Sequence, residues 1–452
     1  MNLPNYFFAD LPAEASLSPM MILDACHALR RNRDRFLSER STAQMVRLVA
    51  RLAENWLEPD FPFRKHLLAE SPNGTGFSRE TMASGLDALF KSITIESLTG
   101  LIRQELGDDA AMDEFRGGET PGKRAIALGP GLMVHVTAGN IPTPGIVSLV
   151  HGLLLKSAQF VKCSSEHPLA LRLFAHSLYD ADPKLGACLE LAAWKGGGHP
   201  CESPLFGEAD VVTATGNDET VESIRRVVPS RTRFVSHGHK VSFAYLTKDA
   251  LSGYKTRRWT EGAAADVAAW DQQGCLSPHV FYVQGGGETS AEQFAEMLAG
   301  QLTKLEQLQP RAPLTIQESA AIATRRSFYE VRASHSGDTK HWRSHESTAW
   351  TVVYENDPQF QFSCLNRFVY VKPVADLHDL LKHAELVRDK VSAVGIAALD
   401  DEARPLTREL ARWGVSRVCR VGAMQSPPLT WRRDGRPVFA DLLWWCDWES
   451  AS

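Results

Sequence analysis

The sequence has no strong excess of either charge and no dense set of cysteines, and these absences exclude several classes of protein. Its 49 Lys and Arg residues nearly balance 54 Asp and Glu residues, so the formal charge is only −5 and no basic surface is expected to attract nucleic acid. Eight cysteines are scattered over 452 residues, whereas small secreted disulfide scaffolds carry them densely. The N-terminal stretch also lacks the features of a secretory signal. We therefore expect a cytoplasmic protein whose thiols remain free.

One segment lacks charge altogether. Residues 125–155 contain no Asp, Glu, Lys or Arg, and an uncharged run of this length can be a membrane span. Here six residues divide it into pieces too short to cross a bilayer as one helix: Pro130, Gly131, Gly139, Pro142, Pro144 and Gly145. We expect a buried strand, a tight loop and a buried helix, and no membrane span.

The chain is longer than one hydrophobic core usually serves, and its pattern changes along its length. Residues 1–110 place apolar side chains at helical spacing, which predicts a helical N-terminal region. Residues 111–240 alternate short apolar strands with helices, as in a doubly wound parallel sheet that binds a nucleotide. Residues 241–425 predict a second α/β domain that carries a candidate catalytic cysteine. Residues 426–452 form an aromatic tail suited to packing on a neighbouring domain or subunit.

The usual dinucleotide fingerprint, G-x-G-x-x-G, is absent from the first α/β unit. A different phosphate site is offered by a strand-to-helix turn formed by Thr215, Gly216 and Asn217. The helix that follows would present free N–H groups and the positive end of its dipole to an anion. Capped turns of this kind also occur in α/β proteins without a ligand, so the residues alone leave both interpretations open.

Cys275 lies in the stretch DQQGCLSPHV, residues 271–280. Its immediate neighbours allow either a nucleophilic thiol or a small buried apolar side chain. A structural metal site built from His199, Cys201, His237 and His239 is disfavoured, because no C-x-x-C pair accompanies them. We therefore expect no metal, and the role of Cys275 has to be judged from the segments that precede it.

Five short segments resemble, in order, the aldehyde dehydrogenase superfamily: TAGNIP (137–142), FVKCSS (160–165), TATGN (213–217), HGHK (237–240) and QQGCLSP (272–278). They are most similar to the acyl-CoA reductase family typified by the fatty acyl-CoA reductase of bacterial luminescence. The resemblance extends from about residue 120 to the C-terminus. It implies an aldehyde dehydrogenase-like α/β fold with a doubly wound cofactor domain and a catalytic domain.

The resemblance also implies roles for individual residues. Cys275 matches the catalytic thiol, and Asn140 matches the amide that holds the oxyanion, a role that suits a neutral donor. The matched cofactor-binding positions are Ala138, Lys162, Ser165, Thr215, Gly216 and Asn217. Many NAD-using relatives carry a glutamate where Ser165 stands, and a serine beside Lys162 would accept the 2′-phosphate that a carboxylate repels. NADPH is therefore the expected cofactor.

One departure from the superfamily pattern bears on the reaction. Hydrolytic members carry a glutamate that activates water, and the matching position here is Ser236, four residues before Lys240. Without that base, an acyl group on Cys275 should resist hydrolysis, which favours exchange with a thiol such as coenzyme A. His237 and His239 lie where the base should be and either relay protons or are ordinary histidines at a strand end.

A second departure concerns the superfamily segment whose glutamate holds the nicotinamide ribose. Its counterpart here is LNRFVYV, where Asn366 and Arg367 stand and no glutamate occurs. The resemblance therefore implies no carboxylate contact to the nicotinamide ribose at this position.

Together these features predict NADPH-dependent reduction of an acyl-CoA thioester to an aldehyde through a covalent acyl group on Cys275, with a fatty acyl group favoured by the resemblance. Expected partners are acyl-CoA or another acyl thioester, an acyl-activating protein and further copies of this chain in a homo-oligomer. Two alternatives stay open: oxidation of an aldehyde by a hydrolytic mechanism, and a non-catalytic dinucleotide-binding scaffold subunit. The sequence specifies neither the acyl chain nor the thiol that carries it.

Overall fold

The computed structural model describes residues 3–12, 14–117 and 122–449. Six helices occupy the N-terminal region: α1 (Pro19–Phe36), α2 (Thr42–Leu57), α3 (Pro62–Ala69), α4 (Ser71–Gly74), α5 (Arg79–Ser92) and α6 (Ile95–Leu106). Four of them begin after a Ser or Thr whose side chain accepts a hydrogen bond from a backbone N–H of the first turn. Such a cap satisfies a donor that the helix itself leaves free. The predicted helical N-terminal region is confirmed.

Five parallel strands form the first sheet. Two short strands precede it in the chain, β1 (Arg116–Gly117) and β2 (Lys123–Leu128). The sheet contains β3 (Leu132–Val136), β4 (Ala158–Cys163), β5 (Leu189–Ala193), β6 (Val211–Thr215) and β7 (Arg233–His237). The helices of this part are α7 (Thr143–Leu154), α8 (Leu169–Ala181), α9 (Pro183–Gly186), α10 (Glu202–Glu208) and α11 (Asp218–Val227). The strand order is β5-β4-β3-β6-β7, the doubly wound arrangement expected, in which ligands bind at the carboxyl ends of the strands where the order reverses.

Helices and the C-terminal chain cover different parts of this sheet. Alternate residues of β3 point to opposite faces: Leu132 and Val134 pack in the cluster that includes α1 and α10, whereas Met133 packs in the cluster that includes α7 and α8. On the α7 face, residues 425–442 lie against β6 and β7, and we call them the roof segment. Two hydrogen bonds join this segment to β7. The space between the roof segment and the strands becomes the cavity described below.

The second sheet has seven strands: β8 (Val241–Leu246), β9 (Pro278–Gln284), β10 (Thr339–Arg343), β11 (Thr351–Glu355), β12 (Phe368–Val374), β13 (Val391–Ala397) and β14 (Val418–Arg420). Its order is β10-β11-β12-β9-β8-β13-β14, and all neighbours are parallel except β10 with β11. Its helices are α12 (Lys255–Ala268), α13 (Ala291–Leu308), α14 (Ile316–His335), α15 (Leu377–His383) and α16 (Asp400–Trp413). Cys275 lies just before β9 in the chain. It lines the same cavity as residues of β6 and β7 in the first sheet.

The end of the chain returns to its first strands. β15 (Trp444–Glu449) pairs antiparallel with β2, so that a third sheet has the order β1-β2-β15. Trp445 and Trp448 on β15 are 50% and 48% exposed, and the ring of Phe115 lies 5.7 Å from that of Trp448. β15 is therefore an edge strand with an open aromatic surface. Within the described ranges, none of the helices combines the length and apolar character needed to cross a membrane.

Candidate active site

Cys275 lies in a short loop, residues 270–276, between the end of α12 and the start of β9, which we call the Cys275 loop. The first three residues of the loop have positive φ angles of 52°, 49° and 64°, a backbone region that residues other than glycine rarely adopt. The Ser242 hydroxyl on β8 donates to the Cys275 carbonyl at 2.8 Å, which anchors the loop to the second sheet. Strained backbone of this kind is concentrated at functional sites.

The other cysteines lie in different environments. Burial raises the pKa of Cys364 and Cys419 to about 11. It raises the pKa of Cys26, Cys163 and Cys188 to about 12. Thiols with such pKa values are almost wholly protonated at neutral pH and are poor nucleophiles. Cys275 is half-buried. Of the eight cysteines, all within the described ranges, it is the one that lines the cavity.

A cavity of about 230 Å³ lies beside Cys275. One wall is the face of α7 that carries Pro144, Val147, Ser148 and His151, and this stretch of helix is about 10 Å long at the usual rise per residue. The rest of the lining comes from α5, β6, β7, the Cys275 loop and the roof segment. Most of the lining is apolar, as in sites that bury a hydrocarbon group.

Asn140 is brought to the Cys275 loop as the resemblance implies. Its Nδ2 donates to the backbone carbonyl of Gln273 at 2.9 Å, and its side-chain amide has a second N–H. The backbone N–H of Cys275 donates no hydrogen bond within the described part of the chain. Two unpaired N–H donors on adjoining segments can hold an oxyanion on a carbonyl attacked by Cys275.

β7 ends at the cavity. Nδ1 of His237 lies 2.6 Å from Oδ2 of Asp434 in the roof segment, and His237 lines the cavity. Burial lowers the pKa of His237 and Arg433 lowers it further, whereas the hydrogen bond to Asp434 opposes both. A neutral imidazole whose Nδ1–H is held by a carboxylate presents an unprotonated Nε2 that can accept a proton. Sequence reasoning could not find Asp434, because it belongs to no matched segment.

Ser236, His239 and Lys240, which adjoin His237 in the chain, do not line the cavity. Ser236 faces the opposite side of β7, where its hydroxyl lies 3.4 Å from Arg225. Lys240 donates to a backbone carbonyl of the second α/β part at 2.9 Å, and His239 is outside the set of residues that lines the cavity. The position that matches the glutamate of hydrolytic relatives therefore carries no group able to activate water.

The residues weighed as a metal site are engaged in other contacts. The ring of His199 stacks on Trp194 with centroids 5.2 Å apart, and His237 is bonded to Asp434. In the residues that the structure describes, no group of three or more His, Cys, Asp or Glu side chains is arranged to hold a metal ion.

The six residues matched to cofactor binding lie at the carboxyl ends of neighbouring strands, a region we call the cofactor edge. Ala138 follows β3, Lys162 and Ser165 lie at and after the end of β4, and Thr215, Gly216 and Asn217 lie at and after the end of β6. Beside Ala138, the Thr137 hydroxyl is buried and has no hydrogen-bond partner in the described chain. A buried polar group without a partner calls for an explanation, and a bound ligand provides one. The edge therefore fits a nucleotide.

The turn after β6 has the predicted helix cap. Asn217 Oδ1 accepts a hydrogen bond from the Thr220 N–H at 2.8 Å. The first turn of α11 also carries Asp218 and Glu219, and Asp218 accepts a hydrogen bond from the His239 N–H at 2.9 Å. Carboxylates in the first turn interact with the same dipole end that a phosphate would use. This turn is therefore a weaker anion site than its N–H groups alone suggest.

Lys162 is buried beside a carboxylate. It is 8% exposed; burial lowers its pKa, and Glu202 opposes that shift. A methyl group added to Gly196 would lie 3.6 Å from both Lys162 Nζ and Glu202 Oε1, so the two charged groups flank the same glycine. Glu202 is held by the Gly198 N–H at 3.1 Å. Sequence reasoning missed Glu202 because it comes from α10, outside every matched segment.

Comparison with known sequences decides the family. A sequence model described as acyl-CoA reductase (LuxC) matches residues 37–445. The chain belongs to the acyl-CoA reductase (LuxC) family. The match spans the cofactor edge, the Cys275 loop and the whole roof segment, and it confirms the resemblance drawn from the five segments. Family membership makes this LuxC-type protein a reductase of acyl thioesters.

Individual relatives agree with this membership. The long-chain acyl-protein thioester reductase of Aliivibrio fischeri is 24% identical over 393 residues, which cover 84% of this chain and 76% of the relative. That of Photorhabdus luminescens is 25% identical over 393 residues, with 84% and 78% covered.

The solved structures establish the fold. An NAD-dependent benzaldehyde dehydrogenase from Corynebacterium glutamicum has a TM-score of 0.69 at 14% identity, covering 98% of this chain and 94% of that one. An apo betaine aldehyde dehydrogenase from Staphylococcus aureus has a TM-score of 0.68 at 14% identity, covering 98% and 90%. At these identities the likeness concerns the fold alone, and the predicted aldehyde dehydrogenase-like fold is confirmed. Family and fold together indicate a nicotinamide dinucleotide as cofactor.

Proposed function

We propose that this LuxC-type protein reduces a fatty acyl thioester to the aldehyde with NADPH, through an acyl group held on Cys275. One observation carries the proposal: the half-buried Cys275 lines a mostly apolar cavity, and the Asn140 amide is bonded to the same loop. A nucleophilic thiol, an oxyanion donor and space for a hydrocarbon are the parts that acyl transfer from a thioester requires.

The side chains of the site support the following sequence of steps. The Cys275 thiolate attacks the thioester carbonyl, and the carrier thiol leaves as a thiolate while the acyl group stays on Cys275. The negative charge that develops on the carbonyl oxygen is held by the Cys275 N–H and the Asn140 amide. A reduced dinucleotide held at the cofactor edge by residues such as Lys162 and Ser165 would supply the hydride that the acyl carbon accepts. Breaking the carbon–sulfur bond then releases the aldehyde and returns Cys275 as a thiolate.

A hydrolytic aldehyde dehydrogenase reaction is the second candidate, because one observation favours it. His237, held by Asp434, lines the cavity and is suited to activate a water that cleaves the acyl group from Cys275. Family membership and the serine at position 236 favour the reductase instead. Release of free acid from acylated protein, measured in wild type and His237→Gln, separates the two. The hydrolytic reaction requires rapid acid release that the substitution slows.

The carrier of the acyl group is the finer part of the proposal. The family is described by acyl-CoA, whereas both relatives are named for long-chain acyl-protein thioesters. Cys275 attacks the same carbonyl in either case, so we propose that both carriers serve, with an acyl-activating protein as a natural supplier. The mostly apolar lining of the cavity supports a hydrocarbon acyl group over a strongly polar one.

The preference for NADPH rests on Ser165, which stands where NAD-using relatives carry a glutamate. Lys162 supports it as a cation for a 2′-phosphate, and Glu202 beside Lys162 acts against it. The affinities for NADPH and NADH therefore report the balance of these two charges.

We also propose a cytoplasmic homo-oligomer that associates through β15. This strand is an edge strand with Trp445 and Trp448 exposed, and such edges and aromatic surfaces favour association. Light scattering on wild type and Trp445→Lys tests this, with a smaller particle expected for the variant.

The decisive experiment follows dinucleotide oxidation by absorbance with a panel of acyl-CoA and acyl-protein thioesters. Wild type and Cys275→Ala are compared with NADPH and with NADH, and released thiol is measured in parallel. Turnover that requires Cys275, releases thiol and prefers NADPH is expected. If no thioester is reduced while both proteins bind NADPH equally well, the non-catalytic scaffold replaces this proposal.

A further inference from the structure

Two segments with unusual backbone lie against each other at the Cys275 loop. Residues 270–272 have φ angles of 52°, 49° and 64°, and residues 365–367, just before β12, have φ angles of 60°, 56° and 63°. Three consecutive residues other than glycine in the left-handed region are strained, and they persist only where surrounding contacts over-determine them. The contacts that hold these two segments therefore identify what fixes the loop.

Arg367 provides the first of these contacts. Its Nε donates to Asp271 Oδ1 at 2.9 Å and its Nη2 lies 2.7 Å from the same oxygen, while its Nη1 lies 2.8 Å from Glu306 Oε2. The Arg367 side chain is 1% exposed and that of Asp271 is 4% exposed. Charges buried to this degree need partners, because an unpaired buried charge is strongly unfavourable. The pair therefore fixes the two segments to each other.

Gln273 provides the second contact. Its side-chain Nε2 donates to Asn366 Oδ1 at 2.7 Å, and its backbone carbonyl accepts a hydrogen bond from Asn140 Nδ2 at 2.9 Å. One residue thus links the strained segment before β12, the Cys275 loop and the oxyanion donor. Cys275 follows two positions later in the chain.

We infer that Arg367 and Asp271 are positioning residues, which hold the Cys275 loop so that the Cys275 N–H and the Asn140 amide face one carbonyl oxygen. The inference rests on the proposed function, in which that oxygen belongs to an acyl thioester. It also accounts for Asn366 and Arg367, which stand where the superfamily glutamate was expected: their side chains contact the Cys275 loop.

The variants separate positioning from stability. Arg367→Met/Asp271→Leu removes the two most buried charges together and leaves Glu306, the other partner of Arg367, whose side chain is 27% exposed. Replacing a buried ion pair by apolar residues of similar volume is often neutral for stability. Gln273→Met breaks only the second contact. The matched control is Lys372→Met, which breaks another buried ion pair, to Glu355 at 3.1 Å, further along β12.

Two reactions of Cys275 without dinucleotide are compared in each protein. Acylation by a p-nitrophenyl ester forms an oxyanion and depends on the placement of the N–H donors, whereas alkylation by iodoacetamide does not. Peptide mapping by mass spectrometry assigns both products to Cys275. We expect the double variant to lose about tenfold or more in acylation rate, since misplacement by about 1 Å can cost about a hundredfold, while alkylation changes by less than about twofold.

Gln273→Met should lower acylation in the same direction by a smaller factor, and it serves alone if the double variant does not fold. Lys372→Met should lower the melting temperature and leave the ratio of acylation to alkylation unchanged. The inference is overturned if the folded variants acylate at the wild-type rate, if both reactions fall equally, or if wild type is not acylated at Cys275. A wild type that is acylated yet reduces no thioester refutes the proposed function and leaves this inference standing.

Discussion

The cofactor edge and the Cys275 cavity share one five-stranded sheet, but they are assembled in opposite ways. The cofactor edge uses residues that directly follow β3, β4 and β6, and parallel strands bring their carboxyl ends together without further help. The cavity joins α5, α7, β7 and the roof segment, which come from both ends of the chain. The first region is therefore visible in local sequence patterns, whereas the second exists only after the chain has closed on itself.

In both regions, a carboxylate from outside the matched segments adjoins a group that the motifs identify. Glu202 lies beside Lys162 at the cofactor edge, and Asp434 is bonded to His237 in the cavity. Burial lowers the pKa of both motif groups, and the added carboxylate opposes that shift in each case. The following predictions test how far the two regions work independently.

The largest effect on the rate of thioester reduction is expected from removing the Cys275 thiol, which lies in the cavity. Cys275→Ala should lower the rate of thioester reduction by about a thousandfold or more, because the covalent step is lost, and should leave dinucleotide affinity unchanged. Absorbance assays and fluorescence titration measure the two quantities. Cys446→Ala, at an exposed thiol outside the cavity, is the control and should retain full activity. A parallel loss of dinucleotide binding in Cys275→Ala would show that the two regions are not separate.

Asn140 tests the boundary between the regions, because it follows β3 and bonds to the Cys275 loop. Asn140→Ala should lower kcat by about a hundredfold, as expected when one oxyanion donor is removed, with little change in KM. Steady-state kinetics with one acyl thioester measure both constants. A rise in KM with unchanged kcat would instead assign Asn140 to ground-state binding.

Glu202 tests the cofactor edge alone. Glu202→Gln keeps an acceptor for the Gly198 N–H and removes a negative charge near Lys162, so the Kd for NADPH should fall by about fivefold, equivalent to roughly 1 kcal/mol. The Kd for NADH should change less, and kcat should stay the same. Titrations of both cofactors measure the shift, with Glu208→Gln on the same helix as control. Equal shifts for the two cofactors would argue against an effect on the 2′-phosphate.

The smallest effect concerns the sheet that both regions share. Burial raises the pKa of Glu190 on β5 to about 7, although the N–H groups of Phe8 and Leu191 donate to it. An ordinary Glu pKa is about 4.3, so the stability that this raised pKa provides is fully present below that pH and is lost as pH rises through about 7. Glu190→Gln should therefore stabilise the protein more at pH 8 than at pH 5. Thermal melts check this, and equal shifts at both pH values would contradict it.

The control for this measurement is Glu219→Gln, which changes an exposed carboxyl on α11. Its melting temperature should differ from wild type by a similar small amount at both pH values. A pH-dependent difference as large as that of Glu190→Gln would remove burial as the cause.

Several features could be predicted from sequence because they depend on neighbouring residues. The helical N-terminal region, the alternation of strands and helices, and the cap at Asn217 follow from hydrophobic spacing and capping residues. The family could be predicted because five matched segments occur in the right order. The positions of Asn140 and the cofactor residues followed from those segments, and their roles stay predictions that the variants above address. The domain boundaries at 110, 240 and 425 likewise stay predictions.

Other features could not be predicted because they depend on contacts between distant residues. Asp434 approaches His237 only when the roof segment lies on β7, and Glu202 approaches Lys162 only when α10 packs on the first sheet. The bond between Arg367 and Asp271 joins two loops from different parts of the second α/β region, and nothing in either loop specifies its partner.

The sequence by itself determined the fold class, the family and the identity of the candidate thiol. Local periodicity and short motifs depend on neighbouring residues and can be recognised without information on distant contacts. Only the tertiary structure decided that His237 lines the cavity while His239 does not, which carboxylates adjoin Lys162 and His237, and how the Cys275 loop is held. The physical reason is that burial and charge pairing arise from side chains far apart in the chain, and these set pKa values and backbone strain that no single segment encodes.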